Sequence, residues 1–348
     1  MASEGNNPVD VLTARALAAV VPDPMVVCDA RGAALYANPA ATNAFGQIPR
    51  GSILAHKFRT PEMQQLIGNA LKQRRAGTID YVERIPIERV FKVAVMPVDD
   101  GSGLFVIHFK DQSETRRIDR MRADFIANAS HELRTPLASI SGFIETLRGP
   151  ARNDEKARDN FLQIMQTQTA RMARLIDDLL SLSRIEMKPY ARSDEKIDVV
   201  QIVAGVVESL GHLAGEYGVQ VNLERPDKPV LIPGNRDELI QVFVNLLENA
   251  CKYGQSGGRV DISISAATGG PTPEIAVAIR DHGPGIAEEH IPRITERFYR
   301  VDVESSRVKN GTGLGLAIVK HILTRHDGRL TVRSKIGEGS TFTVHLPV

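Results

Sequence analysis

The chain has 348 residues, a formal net charge of +1, 42% hydrophobic and 24% charged residues. That length exceeds one ordinary hydrophobic core, so two or three domains are expected. The balanced charge argues against a nucleic-acid or membrane-surface protein, and the composition is that of a globular chain.

No run reaches the ~18 uninterrupted apolar residues of a membrane span. The best stretch, from Val11 to Cys28, is broken by Arg15, Pro22, Asp23 and Pro24 and lacks signal-peptide architecture. The chain as given therefore reads as soluble. Its two cysteines, Cys28 and Cys251, suit buried thiols in a reducing compartment better than a disulfide framework.

Residues 10–110 alternate short β-like runs (Pro24–Cys28, Ala33–Ala37, Phe91–Met96, Leu104–Phe109) with helical patches and turns such as Asp99-Asp100-Gly101. A small mixed α/β domain is expected there. His56 and His108 within it are lone histidines, which read as structural rather than as haem ligands.

Residues 111–188 contain almost no turn signal except Gly149-Pro150-Ala151-Arg152-Asn153. Before that turn, Ile118, Met121, Phe125, Ala129, Leu133, Leu137, Ile140, Ile144 and Leu147 recur three or four apart, one stripe of a long helix. After it, Phe161, Met165, Gln168, Met172, Leu175, Leu179 and Leu182 form a heptad with one polar member, and Asn153 or Asp154 can cap its start. A single helical hairpin leaves such stripes wet, so a homodimeric four-helix bundle is expected.

Inside the first helix lies Ser130-His131-Glu132-Leu133-Arg134-Thr135-Pro136. An internal proline removes one helical hydrogen bond and costs about 3 kcal/mol, here one turn from a histidine. His131 is two residues, about 200°, from both Ala129 and Leu133, so it points away from the stripe into solvent. Alone it reads more readily as a surface histidine than as a presented nucleophile. A free imidazole is mostly neutral at pH 7, with one nucleophilic nitrogen. Glu132 can accept the hydrogen bond of the other nitrogen if it reaches around the helix, since adjacent residues do not face each other.

Residues 197–348 alternate helix and strand patterns. The expected helix Asp237–Tyr253 buries Leu239, Phe243, Leu246 and Leu247 and places Asn245, Asn249 and Lys252 on another face. Two carboxamides and an ammonium suit phosphate oxygens with a hard cation such as Mg²⁺, or equally a solvated face. Asp281-His282-Gly283-Pro284-Gly285-Ile286 follows a strand-like run, putting Asp281 where a carboxylate can accept from an exocyclic amine. Gly283 and Gly285 let the backbone approach a flat ring. Gly311-Thr312-Gly313-Leu314-Gly315 feeds a helix whose first N–H groups suit phosphate.

Together, His131–Pro136, Asn245–Ala250, Asp281–Gly285, Phe298-Tyr299-Arg300 and Gly311–Gly315 resemble, in order and spacing, the H, N, G1, F and G2 boxes of sensor histidine kinases. The likeness covers about residues 113–348. The phrase from Phe125 to Leu147 is most similar to the phosphate-regulon sensor branch, and Pro22–Ala41 resembles a PAS sensor domain.

The resemblance implies a multidomain α+β protein. A PAS-like α/β sensor domain spans 10–110, and a helical linker 111–124. A dimerisation and phosphotransfer hairpin spans 125–190, and an α/β-sandwich ATP-binding domain of the kinase, gyrase, chaperone and mismatch-repair superfamily 197–348. It implies transfer of the ATP γ-phosphate to His131 and then to an aspartate of a response-regulator receiver domain, with phosphatase activity toward that regulator. Glu132 is implied as the acid/base partner and Thr135 as the residue that positions water for dephosphorylation. Asn249 is implied to bind Mg²⁺, Asn245 and Lys252 to flank the phosphates, Tyr253 to lie by the adenine and Asp281 to recognise it.

Gly283, Gly285, Ile286, Gly311, Thr312, Gly313, Leu314 and Gly315 are implied to line the nucleotide. Arg297, Phe298 and Arg300 fall in a lid over about 287–312, and Thr341 in the last strand neighbours the adenine. The implied location is the cytoplasm, alone or as part of an inner-membrane sensor whose tether is absent from this chain. Two other classes fit less well. A superfamily ATPase needs a glutamate base on the nucleotide-binding helix, where Asn245 stands, and an amide cannot serve. A PAS and coiled-coil interaction protein would not need Asn249, Asp281 and both glycine loops.

Overall fold

A computed structural model describes residues 14–83, 88–98, 101–187, 195–267, 273–301 and 311–348. They form two compact units, one ending at Ile126 and one from Ala127 to Val348. The expected turn at Asp99-Asp100-Gly101 lies partly outside the described residues, as does the centre of the expected lid, 302–310.

In the first unit, α1 (Ala14–Val20), β1 (Met25–Cys28) and β2 (Ala34–Ala37) come first. Three helices follow, α2 (Pro39–Phe45), α3 (Leu54–Lys57) and α4 (Pro61–Gln73), then β3 (Gly77–Glu83), β4 (Arg89–Pro97) and β5 (Phe105–Asp111). The strands make one antiparallel sheet in the order β2-β1-β5-β4-β3. Strand alternation turns Phe105, Ile107 and Phe109 inward. There Phe45 meets Phe109 at 4.7 Å and packs edge-on against Phe58 at 5.3 Å.

Fully buried Asn38 caps α2. Its Oδ1 accepts from the Met25 and Ala41 N–H groups, and its Nδ2 donates to the carbonyls of Ala18, Val21 and Asp23. His108 Nε2 lies 3.1 Å from the Asp23 carboxylate, within hydrogen-bond distance. Cys28 and Cys251 are both buried and unpaired, and burial pushes their thiols up to about 12 and about 11.

The 36-residue α5 (Ser113–Arg148) and the 33-residue α6 (Glu155–Met187) are the two long helices. Asp154 caps α6 by accepting from the Ala157 N–H at 3.0 Å, and Phe143 stacks on Phe161 at 5.0 Å. Pro136 is buried inside α5 without ending it. It withdraws only the N–H that the Glu132 carbonyl would otherwise accept. In the single chain Met121, Leu137 and Ile144 of α5 and Leu162, Ile176 and Leu180 of α6 remain exposed.

The remaining elements are β6 (Lys196–Asp198), α7 (Val199–Ser209), α8 (Gly211–Glu216), β7 (Gln220–Glu224), β8 (Leu231–Pro233) and α9 (Arg236–Tyr253). Then come β9 (Arg259–Ala267), β10 (Glu274–Asp281), α10 (Gly315–Arg325), β11 (Arg329–Lys335) and β12 (Gly339–Pro347). The main sheet runs β11-β12-β10-β9-β7, antiparallel except for the β7–β9 pair. Alternation buries Val277 and Ile279 of β10 with Phe342 and Val344 of β12. Helix α9 contributes Leu239, Val242, Phe243, Leu246 and Leu247 to this core and packs between α7 and α10. Each fully buried side chain of this kind contributes about 1.5–3 kcal/mol. Among the described residues, no helix is long and apolar enough to cross a membrane.

Candidate active site

Helix α5 presents His131 to solvent, as its offset from the apolar stripe requires. The adjacent Glu132 is held through one carboxylate oxygen. Its Oε2 accepts from an Arg171 Nη of α6 at 3.0 Å and from an Arg300 Nη at 2.9 Å. Both guanidiniums are largely withdrawn from water, with side chains 12% and 7% exposed. The buried Nε of Arg300 has no partner, so this guanidinium keeps a donor in reserve. Thr135 donates its hydroxyl to the His131 carbonyl at 3.2 Å, the back-bond open to any mid-helix threonine.

The second half of the site is built on α9 and β10. Asn235 caps α9 by accepting from the Glu238 N–H at 3.0 Å. With the apolar residues of α9 in the core, Asn245 and Asn249 fall on the partly exposed face. Asn245 Nδ2 donates to the Gly315 carbonyl at 3.4 Å, which ties α9 to the first turn of α10. Buried Lys252 holds its ammonium 5.1 Å from the centre of the Tyr253 ring.

Asp281 ends β10 as a buried residue whose Oδ1 accepts from the Gly283 N–H at 2.9 Å and the Ser340 N–H at 3.3 Å. Burial pushes its carboxyl above the usual range, and these hydrogen bonds oppose the shift. A Cβ on Gly254 would come within 3.1 Å of the Asp281 Cβ, so the end of α9 abuts this carboxylate.

Two expectations gain structural detail here. Thr341 was expected beside the adenine, but it pairs with Arg280, whereas Ser340 pairs with Asp281. Strand alternation turns Thr341 to the opposite face, and buried Ser340 is the neighbour of Asp281. The glycines of the Asp281 segment were expected for the approach of a ring. A Cβ on Gly283 would stand 2.3 Å from the Tyr253 carbonyl oxygen, and one on Gly285 2.1 Å from that of Lys335. The protein's own backbone therefore already demands glycine at both. Ile286 donates its N–H to Ser334 Oγ at 2.7 Å, fixing the exit of the loop.

Phe298, within the expected lid, and Gly313, just after it, are joined. Phe298 has a positive φ of 62°, and its N–H donates to the Gly313 carbonyl at 2.8 Å. Gly313 itself has φ 74°, and a Cβ there would lie 2.9 Å from Phe298 backbone. Leu314 is buried as the residue before α10. Gly311 and Thr312 precede it, and the Leu314 N–H reaches Thr312 Oγ1 at 3.3 Å.

These loops dock on α6. Thr312 donates to Asp178 at 2.7 Å, Arg297 pairs with Glu186, His321 lies 3.5 Å from the same Glu186, and Ser181 exchanges hydrogen bonds with Gln241 of α9. Burial raises the carboxyls of Asp178 and of nearby Glu248.

Arg171, Asp178, Glu186 and Ser340 were not singled out from the sequence. Arg171 and Asp178 sit between the heptad positions of α6 and Glu186 lies beyond the last of them, and nothing in the spacing names partners 39 to 134 residues away. Ser340 was within reach, because alternation from Phe342 marks it as inward-facing.

Two family descriptions match parts of the chain. "His Kinase A (phospho-acceptor) domain" matches residues 121–188, and "Histidine kinase-, DNA gyrase B-, and HSP90-like ATPase" matches 234–348. The chain is 34% identical over 336 residues to the phosphate regulon sensor protein PhoR of Pseudomonas aeruginosa, covering 94% of this chain and 72% of PhoR. It is 34% identical over 245 residues to the sensor histidine kinase WalK of Bacillus subtilis, covering 70% of this chain and 39% of WalK. The solved histidine kinase ThkA, in complex with response regulator protein TrrA, matches over 97% of this chain and 98% of its own. With a TM-score of 0.54 and 17% identity, that is a likeness of fold.

Proposed function

This chain belongs to the sensor histidine kinases, which makes it an ATP:protein-histidine phosphotransferase, and on that premise we propose that His131 is the residue phosphorylated. The observation that carries this reading is the meeting of three segments at one carboxylate. Glu132, next to exposed His131, is held by Arg171 of the hairpin and by Arg300 beside the nucleotide loops.

In the proposed reaction the imidazole nitrogen of His131 attacks the γ-phosphorus of ATP. An N–P bond forms, the bond to the bridging oxygen breaks, and ADP leaves with the electron pair. The proton lost from the other imidazole nitrogen goes to Glu132. Asp281 accepts from the adenine amine with Ser340 and Tyr253 alongside, and Asn245, Lys252 and the turn Gly311–Gly315 surround the phosphates. Arg300 has its reserve Nε donor for a phosphate oxygen.

Mg²⁺ fits the donor set, because the Asn249 carboxamide oxygen is a hard ligand. Among the described residues no group of three His, Cys, Asp or Glu gathers to hold a metal, so phosphate oxygens and water would complete its shell. When bound, the ion neutralises charge on the β- and γ-phosphates.

We further propose that the phosphoryl group passes to an aspartate of a response-regulator receiver domain. ThkA was solved with such a regulator, and its fold is shared over nearly the whole chain. Thr135 would serve the reverse function, positioning water against the phosphorylated regulator. The first unit is proposed as a PAS-type sensor, on the strength of its antiparallel order β2-β1-β5-β4-β3 with the helices between β2 and β3. The exposed apolar residues of α5 and α6 favour a homodimeric bundle. Use of ATP and two unpaired buried thiols favour the cytoplasm.

The test is phosphotransfer. The autophosphorylated chain, mixed with a panel of receiver domains, should lose label rapidly to one of them. Autophosphorylation without transfer to any receiver would contradict the regulator reading.

A further inference from the structure

Glu132 takes two guanidiniums on a single oxygen, and the two belong to different parts of the molecule. Arg171 stands on α6 of the same hairpin and is a fixed neighbour of α5. Arg300 comes from the nucleotide-binding half, within the expected lid segment, and its Nε is buried without an acceptor. A phosphate oxygen would satisfy that donor, and drawing Arg300 toward it would take one cation from Glu132. A partly buried carboxylate stripped of its partners costs several kcal/mol. Arg171 keeps Glu132 paired whichever way Arg300 turns.

There is also a question of aim. Residues adjacent on a helix do not face each other, so the Glu132 side chain must be held in one rotamer to serve the His131 imidazole. The charge-assisted bond from Arg171 at 3.0 Å fastens Oε2. Oε1 accepts no hydrogen bond among the described residues and is the oxygen left for the imidazole N–H.

We infer that Arg171 is a positioning residue for autophosphorylation: it holds Glu132 through Oε2 so that Oε1 can take the proton from His131. The inference rests on the proposed roles of His131 and Glu132. It assigns Arg171 to turnover and leaves ATP binding to the other domain. Because the contact is a single N–H···O bond rather than a fork, a lysine can replace it, which would not hold at a bidentate site.

The test uses the full chain with γ-labelled ATP. Arg171→Met keeps the apolar stem and removes the charge. It should lower the autophosphorylation kcat about tenfold, less than the roughly 10²–10⁴-fold of losing a general base outright, and leave the KM for ATP within about twofold. Arg171→Lys should recover most of the lost rate. In a Glu132→Gln background, Arg171→Met should cost nothing further, because the carboxylate it positions is gone.

Wild-type kcat in Arg171→Met, or the same fractional loss with and without Glu132, would overturn the assignment. So would a lysine variant as slow as the methionine one, or loss of the helical fold in both. Label that persists in His131→Gln would instead remove the phosphoacceptor reading beneath it. Label confined to His131 with unchanged kcat in Arg171→Met would remove Arg171 alone.

Discussion

Thr312 and Asp178 lie 134 residues apart and are joined by a 2.7 Å hydrogen bond, the hydroxyl donating to the carboxylate. It fastens the glycine loop before α10 to helix α6. Burial raises the Asp178 carboxyl, and the Thr312 hydroxyl and the Arg174 charge oppose that shift. By linkage, this carboxyl favours the docked arrangement below its raised pKa and loses that contribution as pH rises through it.

Asp178→Asn keeps an acceptor for Thr312 and removes the disfavoured charge, so it should raise the melting midpoint of the second unit. Asp178→Ala leaves the hydroxyl without its acceptor, a loss of about 1 kcal/mol, and should lower the midpoint by about 2–4 °C. Calorimetry on the two variants checks this. An asparagine variant as unstable as the alanine one would contradict it.

Asp281 gives a pH dependence of opposite sense for binding. Its carboxyl is raised by burial, against the N–H groups of Gly283 and Ser340. It must be ionised to accept well from the adenine amine. Nucleotide affinity should therefore fall on acidification at a higher pH than an ordinary aspartate, near 3.9, would produce. The same raised pKa adds folding stability below the unfolded value, and that stability is lost as pH rises through the folded one. Titration calorimetry with ADP at a series of pH values should show the affinity loss in wild type and a flattened profile in Asp281→Asn. An identical slope in both would move the effect elsewhere.

Thr135 is the residue proposed for dephosphorylation. Its hydroxyl donates to the His131 carbonyl, and its oxygen lone pairs remain available to a water. Thr135→Ala should largely keep autophosphorylation and lose phosphatase activity toward the phosphorylated regulator. The check is decay of purified phospho-receiver with the variant and ADP present. Decay at the wild-type rate would leave Thr135 as a helix residue only.

What the sequence makes legible follows from the range of each interaction. The long helices are readable because a stripe repeating every three or four residues over nine positions fits no other element, and the turn between them carries its own Gly-Pro signal. The exposure of His131 follows from the same geometry. The glycine segments are visible as segments, but one reason for them is not. Gly283 and Gly285 are fixed by the carbonyls of Tyr253 and Lys335, contacts that only the folded chain creates. Thr341 against Ser340 is a matter of strand phase, in which one residue reverses the face and makes Ser340 the strand partner of Asp281.

The contacts of Glu132 with Arg171 and Arg300, of Asp178 with Thr312 and of Glu186 with Arg297 are the part that stays hidden. Each joins single polar side chains 39 to 168 residues apart. No periodicity encodes such pairs.

The central claim, phosphorylation of His131, is tested most directly by labelling the wild type and His131→Gln with γ-labelled ATP while nucleotide binding is measured on the same samples. Wild type should carry an acid-labile, alkali-stable label. The variant should carry none and bind ATP with wild-type affinity, since the nucleotide loops sit on the other half of the unit. Acid-labile label on His131→Gln at the wild-type level would show that another residue accepts the phosphoryl group.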